Sequence, residues 1–227
     1  MNSRHIKNIL YEQVARIGKA ASSPKRLELI ELLCQCEKNV EQLAAEADIS
    51  VKLASAHLGA LKSSSLVASR RDGKNIYYRL ADPHVASFWV AIRTLAEERL
   101  VDLQLALENL VATPEHLAQL DRTELLKEAE RGEVVVIDVR PEAEFAAGHL
   151  PYARSIPVAE LKKRIAELPR DKTIVAYCRG PFCLFANKAV EVLGKAGYHA
   201  VRLDDGVAEW QAHGYPIAIP QDTTSSR

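Results

Sequence analysis

Short apolar runs in the second half of the sequence, VVVIDV, TIVAY and AVRL, are separated by segments with helical periodicity. Strands that alternate with helices in this way are typical of a parallel sheet covered by helices on both faces. The first half has a different pattern, in which several helices precede a hairpin. The sequence therefore predicts two domains, and 227 residues suffice for two modest hydrophobic cores.

The hairpin of the first half follows two short helices. The capping-box pattern Asn39-Val-Glu-Gln42 opens one helix, and Ser50 caps a second helix that runs to about Ser63. Two helices joined by a tight turn form a helix-turn-helix. The next segment, LVASRRDGKNIYYRL, alternates around an Asp-Gly pair, which is a preferred turn for a tight hairpin. Together these elements predict a winged helix, after a helix at residues 4–21 and one that Pro24 begins.

Positive charge is concentrated in this winged helix. Between Ser50 and Leu80 six basic residues face one acid, Asp72, although the whole chain has no net formal charge. A basic module of this kind predicts a polyanionic partner, here double-stranded DNA. The predicted DNA-binding residues are Lys52, Leu53, Ser55, Ala56, His57, Lys62, Arg70, Arg71 and Lys74.

Three segments, PKRLELIELL, NVEQLAAEADISVKLASAHLGALKSSSLV and RRDGKNIYYRL, resemble the ArsR-type winged-helix repressors over residues 10–110. The resemblance implies a homodimer that reads an inverted-repeat operator and leaves DNA when an inducer binds. The arsenic and cadmium sensors of that family carry Cys-x-Cys at the start of the helix before the recognition helix. This chain has Asn39-Val-Glu there, and its own Cys34-Gln-Cys36 lies earlier. A metal site at Cys34 and Cys36 is therefore an alternative and not the main prediction.

Apolar residues recur at helical spacing from Pro83 to Leu110, which predicts one helix of about seven turns. We expect this helix and the N-terminal helix to pack partly against a second subunit, because a small domain cannot cover so much apolar surface. Thr113-Pro114 ends the pattern, and a capping box at Asp121 starts another helix. The predicted domains are residues 1–112 and 118–220.

The segments VVVIDVRPEAEFAAGHLPYARSIPV, TIVAYCRG and LDDGVAEWQAHGYPI resemble a single rhodanese domain in order and spacing. The resemblance implies an α/β fold and transfer of sulfane sulfur through a persulfide on the cysteine after the central strand. That cysteine is Cys178 here. The resemblance also implies that Asp138 and Arg140 support the active loop.

The position of Cys178 gives an independent argument. A thiol between a strand end and a helix N-terminus faces backbone N–H groups and the positive end of the helix dipole, which lower its pKa. Arg179 adds a cation. Cys183, expected in the first turn of the helix, is either a resolving thiol that attacks a Cys178 persulfide or a small residue that fits the helix start. Oxyanion ester chemistry is disfavoured, because related phosphatase loops need an arginine where this chain has Leu184.

These patterns predict a homodimeric transcriptional regulator, a repressor, that couples sulfur or redox state to DNA binding through Cys178. One alternative is a rhodanese-type sulfurtransferase whose winged helix serves for dimerisation, and another is a metalloid-responsive repressor. The expected partners are operator DNA, a second copy of the chain and a small sulfur donor or acceptor, with no cofactor and no membrane. We expect a cytoplasmic protein, because no apolar run approaches the roughly 18 residues of a membrane span.

Overall fold

The structure is a computed structural model that describes residues 2–110 and 121–219. The chain divides into two compact units, and the division lies between Trp89 and Val90. This division falls inside a helix, so that one helix begins in the first unit and continues into the second.

The first unit is a winged helix, as the sequence predicts. A short edge strand, which the sequence analysis did not identify, pairs with the hairpin to give an antiparallel sheet in the order β1-β3-β2. The capping box at Asn39 and the Ser50 cap are both present. The elements are α1 (Ser3–Ala21), α2 (Pro24–Gln35), β1 (Lys38–Asn39), α3 (Val40–Glu46), α4 (Val51–Ser63), β2 (Val67–Asp72) and β3 (Asn75–Leu80).

The hairpin turns at the predicted Asp-Gly pair. Asp72 pairs with Asn75, which leaves Gly73 and Lys74 as the two turn residues. Gly73 has a φ of 58°, a left-handed conformation that glycine adopts without strain.

The segment from Pro83 to Leu110 forms two helices and not the single helix that its periodicity predicts. They are α5 (Pro83–Arg99) and α6 (Val101–Leu110), separated by Leu100. At the break the side-chain amide of Gln104 donates a hydrogen bond to the carbonyl oxygen of Glu97 at 2.8 Å. A side chain thus satisfies a backbone carbonyl near the helix end, and apolar periodicity carries no information about such a bond. The predicted break at Thr113-Pro114 lies outside the described residues.

The described part of the second unit contains a parallel four-stranded sheet in the order β5-β4-β6-β7. This confirms the predicted α/β class, whereas α8, β5 and α11 were not predicted. A 3₁₀ turn at Ile165–Glu167 follows α9. The elements are α7 (Arg122–Arg131), β4 (Val134–Asp138), α8 (Glu142–Ala147), β5 (Arg154–Ser155), α9 (Leu161–Arg164), β6 (Thr173–Tyr177), α10 (Phe185–Lys195), β7 (Ala200–Arg202) and α11 (Val207–Ala212).

Alternate residues of the two central strands enter two different apolar cores. Ile137 and Ala176 belong to one core together with residues of α10, whereas Val136 and Val175 belong to the other together with Trp210. This alternation follows from the two-residue period of a strand, and it shows that both faces of the sheet are covered. Within the described residues, no helix has the length and apolar character needed to cross a membrane.

Candidate active site and nucleic-acid interface

Cys178 directly follows β6, one of the two inner strands of the sheet, and is only 1% exposed. Its thiol lies 3.4 Å from the carbonyl oxygen of Cys183 and donates a hydrogen bond to it. Cys183 is partly exposed and lies in the loop, because α10 begins at Phe185 and not at residue 183 as predicted. Both cysteines are free thiols, so the structure brings the two predicted sulfur groups together without a disulfide.

The two thiols differ in their ionisation. Burial raises the pKa of Cys178 well above its usual value, and the neighbouring Cys183 raises it further. A hydrogen bond from the Cys178 thiol lowers the pKa of Cys183 to about 6, and backbone N–H groups of Arg179 and Phe185 act in the same direction. The sequence argument expected the helix dipole to lower the pKa of both thiols, because it did not consider the loss of solvent at Cys178. The negative charge of the pair resides on Cys183.

Arg179, the predicted cation beside Cys178, is already neutralised. Its Nε donates a hydrogen bond to Glu144 Oε2 at 3.0 Å, and its guanidinium lies over the Phe185 ring, 5.5 Å from the centroid. Glu144 lies on α8 and is fully buried. Sequence reasoning missed Glu144, although it stands in the PEAEF segment that follows the Asp138 strand.

Asp138 and Arg140 form a fully buried ion pair, with Arg140 Nη2 at 2.6 Å from Asp138 Oδ2. The Tyr177 hydroxyl donates to the same oxygen at 2.5 Å, and Arg140 also donates to the Gly148 carbonyl at 2.8 Å. Burial raises the pKa of Tyr177 well above its usual value, which keeps this hydroxyl protonated as a donor. The network ties the end of β4 to the residue before Cys178.

The N-terminus of α11 lies directly behind the Cys178 loop. A Cβ added at Gly206 would approach the carbonyl carbon of Arg179 to 2.7 Å, so only glycine fits there. Glu209 accepts the Gly206 N–H at 2.6 Å and an N–H of Arg93 at 2.8 Å. Sequence reasoning assigned no role to these residues, although LDDGVAEW was one of the segments that carried the rhodanese resemblance.

The predicted DNA-binding residues lie on α4 and on the hairpin of the first unit. On α4 the side chains between the buried positions Ala54, Leu58 and Leu61 face outward. His57 is partly exposed, and the exposed predicted residues are Lys52, Leu53, Ser55, Ala56, Lys62, Arg70, Arg71 and Lys74.

Three of these basic residues have partners within the protein, among them Arg71, whose Nε donates to the Gly73 carbonyl oxygen at 3.1 Å. Arg70 forms ion pairs with Glu37 at 2.7 Å and with Asp72 at 3.2 Å, and its guanidinium lies 4.7 Å from the centroid of the Tyr77 ring. Lys62 Nζ donates to the Ser69 hydroxyl at 2.7 Å. The positive charge of Arg70 is therefore partly offset, which its sequence neighbourhood does not reveal.

Cys34 and Cys36, the residues of the metal-site alternative, lie at the C-terminal end of α2 in the first unit and are partly buried. Across residues 2–110 and 121–219, no group of three or more His, Cys, Asp or Glu side chains is arranged to hold a metal ion.

Comparison with known proteins agrees with both halves of this architecture. Residues 23–69 match the family described as bacterial regulatory protein, arsR family, and residues 121–213 match the rhodanese-like domain. The HTH-type transcriptional regulator Rv0324 of Mycobacterium tuberculosis is 44% identical over 93% of this chain and 92% of its own length. A protein named sulfurtransferase from Allochromatium vinosum is 34% identical over 41% of this chain and 86% of its own length.

Among solved structures, the homodimeric winged helix-turn-helix DNA-binding domain of Mb0332 from Mycobacterium bovis is 41% identical. The match covers 44% of this chain and 91% of that one, with a TM-score of 0.41.

The winged helix, together with the full-length relative, defines a bacterial transcriptional regulator. The chain belongs to the arsR family of such regulators and carries a C-terminal rhodanese-like domain.

Proposed function

We propose that this regulator is a homodimeric repressor of an inverted-repeat operator, and that its rhodanese-like unit carries sulfane sulfur as a persulfide on Cys178. The sulfur state of the loop then changes DNA binding. The observation that carries this proposal is the pair of free thiols in the loop after β6, where the Cys178 thiol donates a hydrogen bond to the carbonyl oxygen of Cys183. With chromosomal DNA as its partner, the protein works in the cytoplasm.

The loop supports a balanced reaction. The proton of Cys178 passes to the Cys183 thiolate, and the Cys178 thiolate attacks the sulfane sulfur of a donor such as thiosulfate. A new S–S bond forms on Cys178, the S–S bond of the donor breaks, and sulfite leaves with the electron pair.

Cys183 is the resolving thiol in this proposal. Its sulfur attacks Cys178 Sγ, the outer sulfur leaves as hydrosulfide with the Cys183 proton, and a Cys178–Cys183 disulfide remains. The two thiols are oxidised and the zero-valent sulfur is reduced to sulfide, so no further oxidant is needed. Closing the bridge removes the negative charge of the loop.

DNA binding is supported by the exposed face of α4 and by the basic hairpin. In the proposed complex α4 lies in the major groove, where Lys52, Ser55 and Ala56 reach the base edges. Arg71 and Lys74 bind phosphates, which fixes the position of the protein on the duplex but specifies no sequence.

Dimerisation is supported by exposed apolar side chains on two helices. Leu10, Tyr11 and Val14 of α1 are 62–70% exposed, and Leu95 of α5 is 55% exposed. Large apolar side chains exposed in this way mark an interaction site, and a second copy of the chain would cover them.

The test combines mass spectrometry with DNA binding. Intact mass after mild polysulfide treatment should reveal an internal bridge in the wild type, an open persulfide in Cys183→Ser and no internal bridge in Cys178→Ser. Operator affinity, measured by fluorescence anisotropy, should change on treatment in the wild type and stay constant in Cys178→Ser. Cys34→Ser/Cys36→Ser is the matched control and should respond like the wild type. A response to polysulfide that survives in Cys178→Ser, or a reduced protein that binds no DNA at low salt, would overturn the proposal.

A sulfurtransferase that uses its winged helix for dimerisation is the second candidate, favoured by the match to the Allochromatium vinosum protein. This candidate would be supported by steady-state sulfur transfer from thiosulfate to a thiol at or above about 1 per second, together with a DNA affinity that polysulfide treatment does not change.

A further inference from the structure

A buried arginine outside the loop contacts the residues between the two cysteines. Arg93, on α5, is only 4% exposed. Its guanidinium carbon lies 5.6 Å from the centroid of the Phe182 ring. A Cβ added at Gly180 would lie 3.2 Å from Arg93 Nη1, so the guanidinium packs directly against that glycine.

Arg93 is held in this position by two carboxylates. Its Nη1 donates to Glu209 Oε1 at 2.8 Å, and its Nε lies 3.0 Å from Glu97 Oε1, one turn further along α5. Glu209 is 2% exposed, and its oxygens would lie 3.1–3.2 Å from a Cβ at Gly180. The buried pair therefore contacts the loop through both of its charged groups.

We propose that Arg93 is a positioning residue for the Cys178–Cys183 loop, because the Arg93–Glu209 pair holds Gly180 and Phe182 in the conformation that brings the Cys178 thiol against Cys183. This inference rests on the proposed function of the loop. A Cys178–Cys183 bridge forms only when the two sulfurs meet, and a loop without this support adopts that arrangement for a smaller fraction of the time.

The inference also assigns a role to a residue to which the sequence analysis gave none. Arg93 is one of two arginines, beside six acids, in the segment 81–120. Arg93 lies in the second unit, so its contacts with the loop are internal to that unit.

The test compares Arg93→Met with the wild type in the full-length protein. After polysulfide treatment, conversion of the Cys178 persulfide into the bridge should be about 10-fold slower in Arg93→Met, because the loop no longer holds Cys183 next to Cys178. The pH midpoint of Cys183 alkylation should also rise from about 6, because the loop no longer holds its hydrogen-bond donors in place. Arg93→Lys keeps the charge, so its bridging rate and its alkylation midpoint should lie between those of the wild type and of Arg93→Met.

Two further variants separate positioning from loss of stability. Arg122→Met breaks a different ion pair of the same unit, with Asp205, and should leave both readouts unchanged. Arg93→Met/Glu209→Met replaces both buried charges by apolar groups and should fold even if Arg93→Met does not, because the buried Glu209 carboxylate is not left unpaired and Glu97 is partly exposed to solvent. The double variant should also close the bridge more slowly than the wild type.

Equal bridging rates and equal pH midpoints in the wild type and in the folded Arg93 variants would overturn the role of Arg93. If the wild type forms neither persulfide nor bridge, the proposed function of the loop fails instead. The alkylation midpoint then still decides the role of Arg93, since it requires no sulfur transfer.

Discussion

Arg179 Nε donates a hydrogen bond to Glu144 Oε2 at 3.0 Å, and the Glu144 carboxylate has no exposed surface. The cation next to Cys178 is thus used to balance a buried charge within the protein. An anionic sulfur donor that approaches the loop has to compete with Glu144 for the same guanidinium.

This competition predicts slow turnover with thiosulfate, below about 1 per second, because the dianion finds no uncompensated cation at Arg179. Glu144→Gln removes the competing charge and should lower the KM for thiosulfate several-fold at low salt. The control is Glu142→Gln, an exposed carboxylate on the same helix, which should leave KM unchanged. Equal KM values for all three proteins in steady-state sulfite release would show that Arg179 does not bind the donor.

Alkylation of the two cysteines should differ in its pH dependence. Cys183 has a pKa lowered to about 6, so it is anionic at neutral pH and its reaction with iodoacetamide should reach half its maximum near pH 6. Cys178→Ala removes the thiol that donates to Cys183 and should move this midpoint up, towards about 8.5. Peptide mass spectrometry after brief alkylation gives both values. A midpoint near 8.5 in the wild type would mean that the Cys178 thiol does not donate to Cys183 in solution.

The basic residues of the hairpin should contribute unequally to DNA affinity. Arg71→Ala or Lys74→Ala removes a phosphate contact and should reduce the slope of log affinity against log salt by about 0.9 each. Arg70→Ala should have a smaller effect, because Glu37 and Asp72 already offset that charge.

Glu37→Gln removes one of the two carboxylates that offset the Arg70 charge, so it should strengthen DNA binding at low salt. Anisotropy titrations over a series of salt concentrations measure all four variants. If Arg70→Ala reduces the slope as much as Arg71→Ala, the ion pair with Glu37 opens when DNA binds.

The buried Asp138–Arg140 pair should contribute strongly to the stability of the second unit. Asp138→Asn leaves Arg140 without its buried counter-charge and should lower the free energy of unfolding by about 3–5 kcal/mol. Glu133→Gln removes an exposed partner of Arg131 and should change it by less than about 1 kcal/mol.

Urea unfolding of the second unit can be followed by Trp210 fluorescence. The chain has two tryptophans, so a Trp89→Phe background isolates this probe. Equal midpoints for Asp138→Asn and Glu133→Gln would show that the buried pair adds no net stability.

Local patterns were sufficient to predict most of the secondary structure. Caps at Asn39 and Ser50, the Asp-Gly turn and the apolar runs of β4 and β6 act over a few residues, and the structure contains each of them. The break at Leu100 was not predictable, because a side-chain hydrogen bond from Gln104 accompanies it without any change in periodicity.

The surroundings of Cys178 could be predicted only in part. Its place after a strand was correct, but Glu144 lies 35 residues from Arg179 in the chain, and Glu209 lies 116 residues from Arg93. Contacts between residues so far apart in the sequence depend on how the helices pack on the sheet, and a single sequence does not reveal that packing. The same packing buries Cys178, and this burial raises the pKa that the sequence argument expected to be lowered.

The absence of a side chain at Gly206 has a mechanical consequence for the loop. Backbone atoms of Cys178 and Arg179 lie so near that glycine that a Cβ there would meet them at 2.7–2.8 Å. The first end of the loop is clamped between the sheet and α11, while the second end, with Leu184, is open to solvent. At the second end Cys183 and Phe185 nevertheless pack against the core, so the loop is anchored at both ends, and any rearrangement that closes the bridge falls on the residues between the two cysteines.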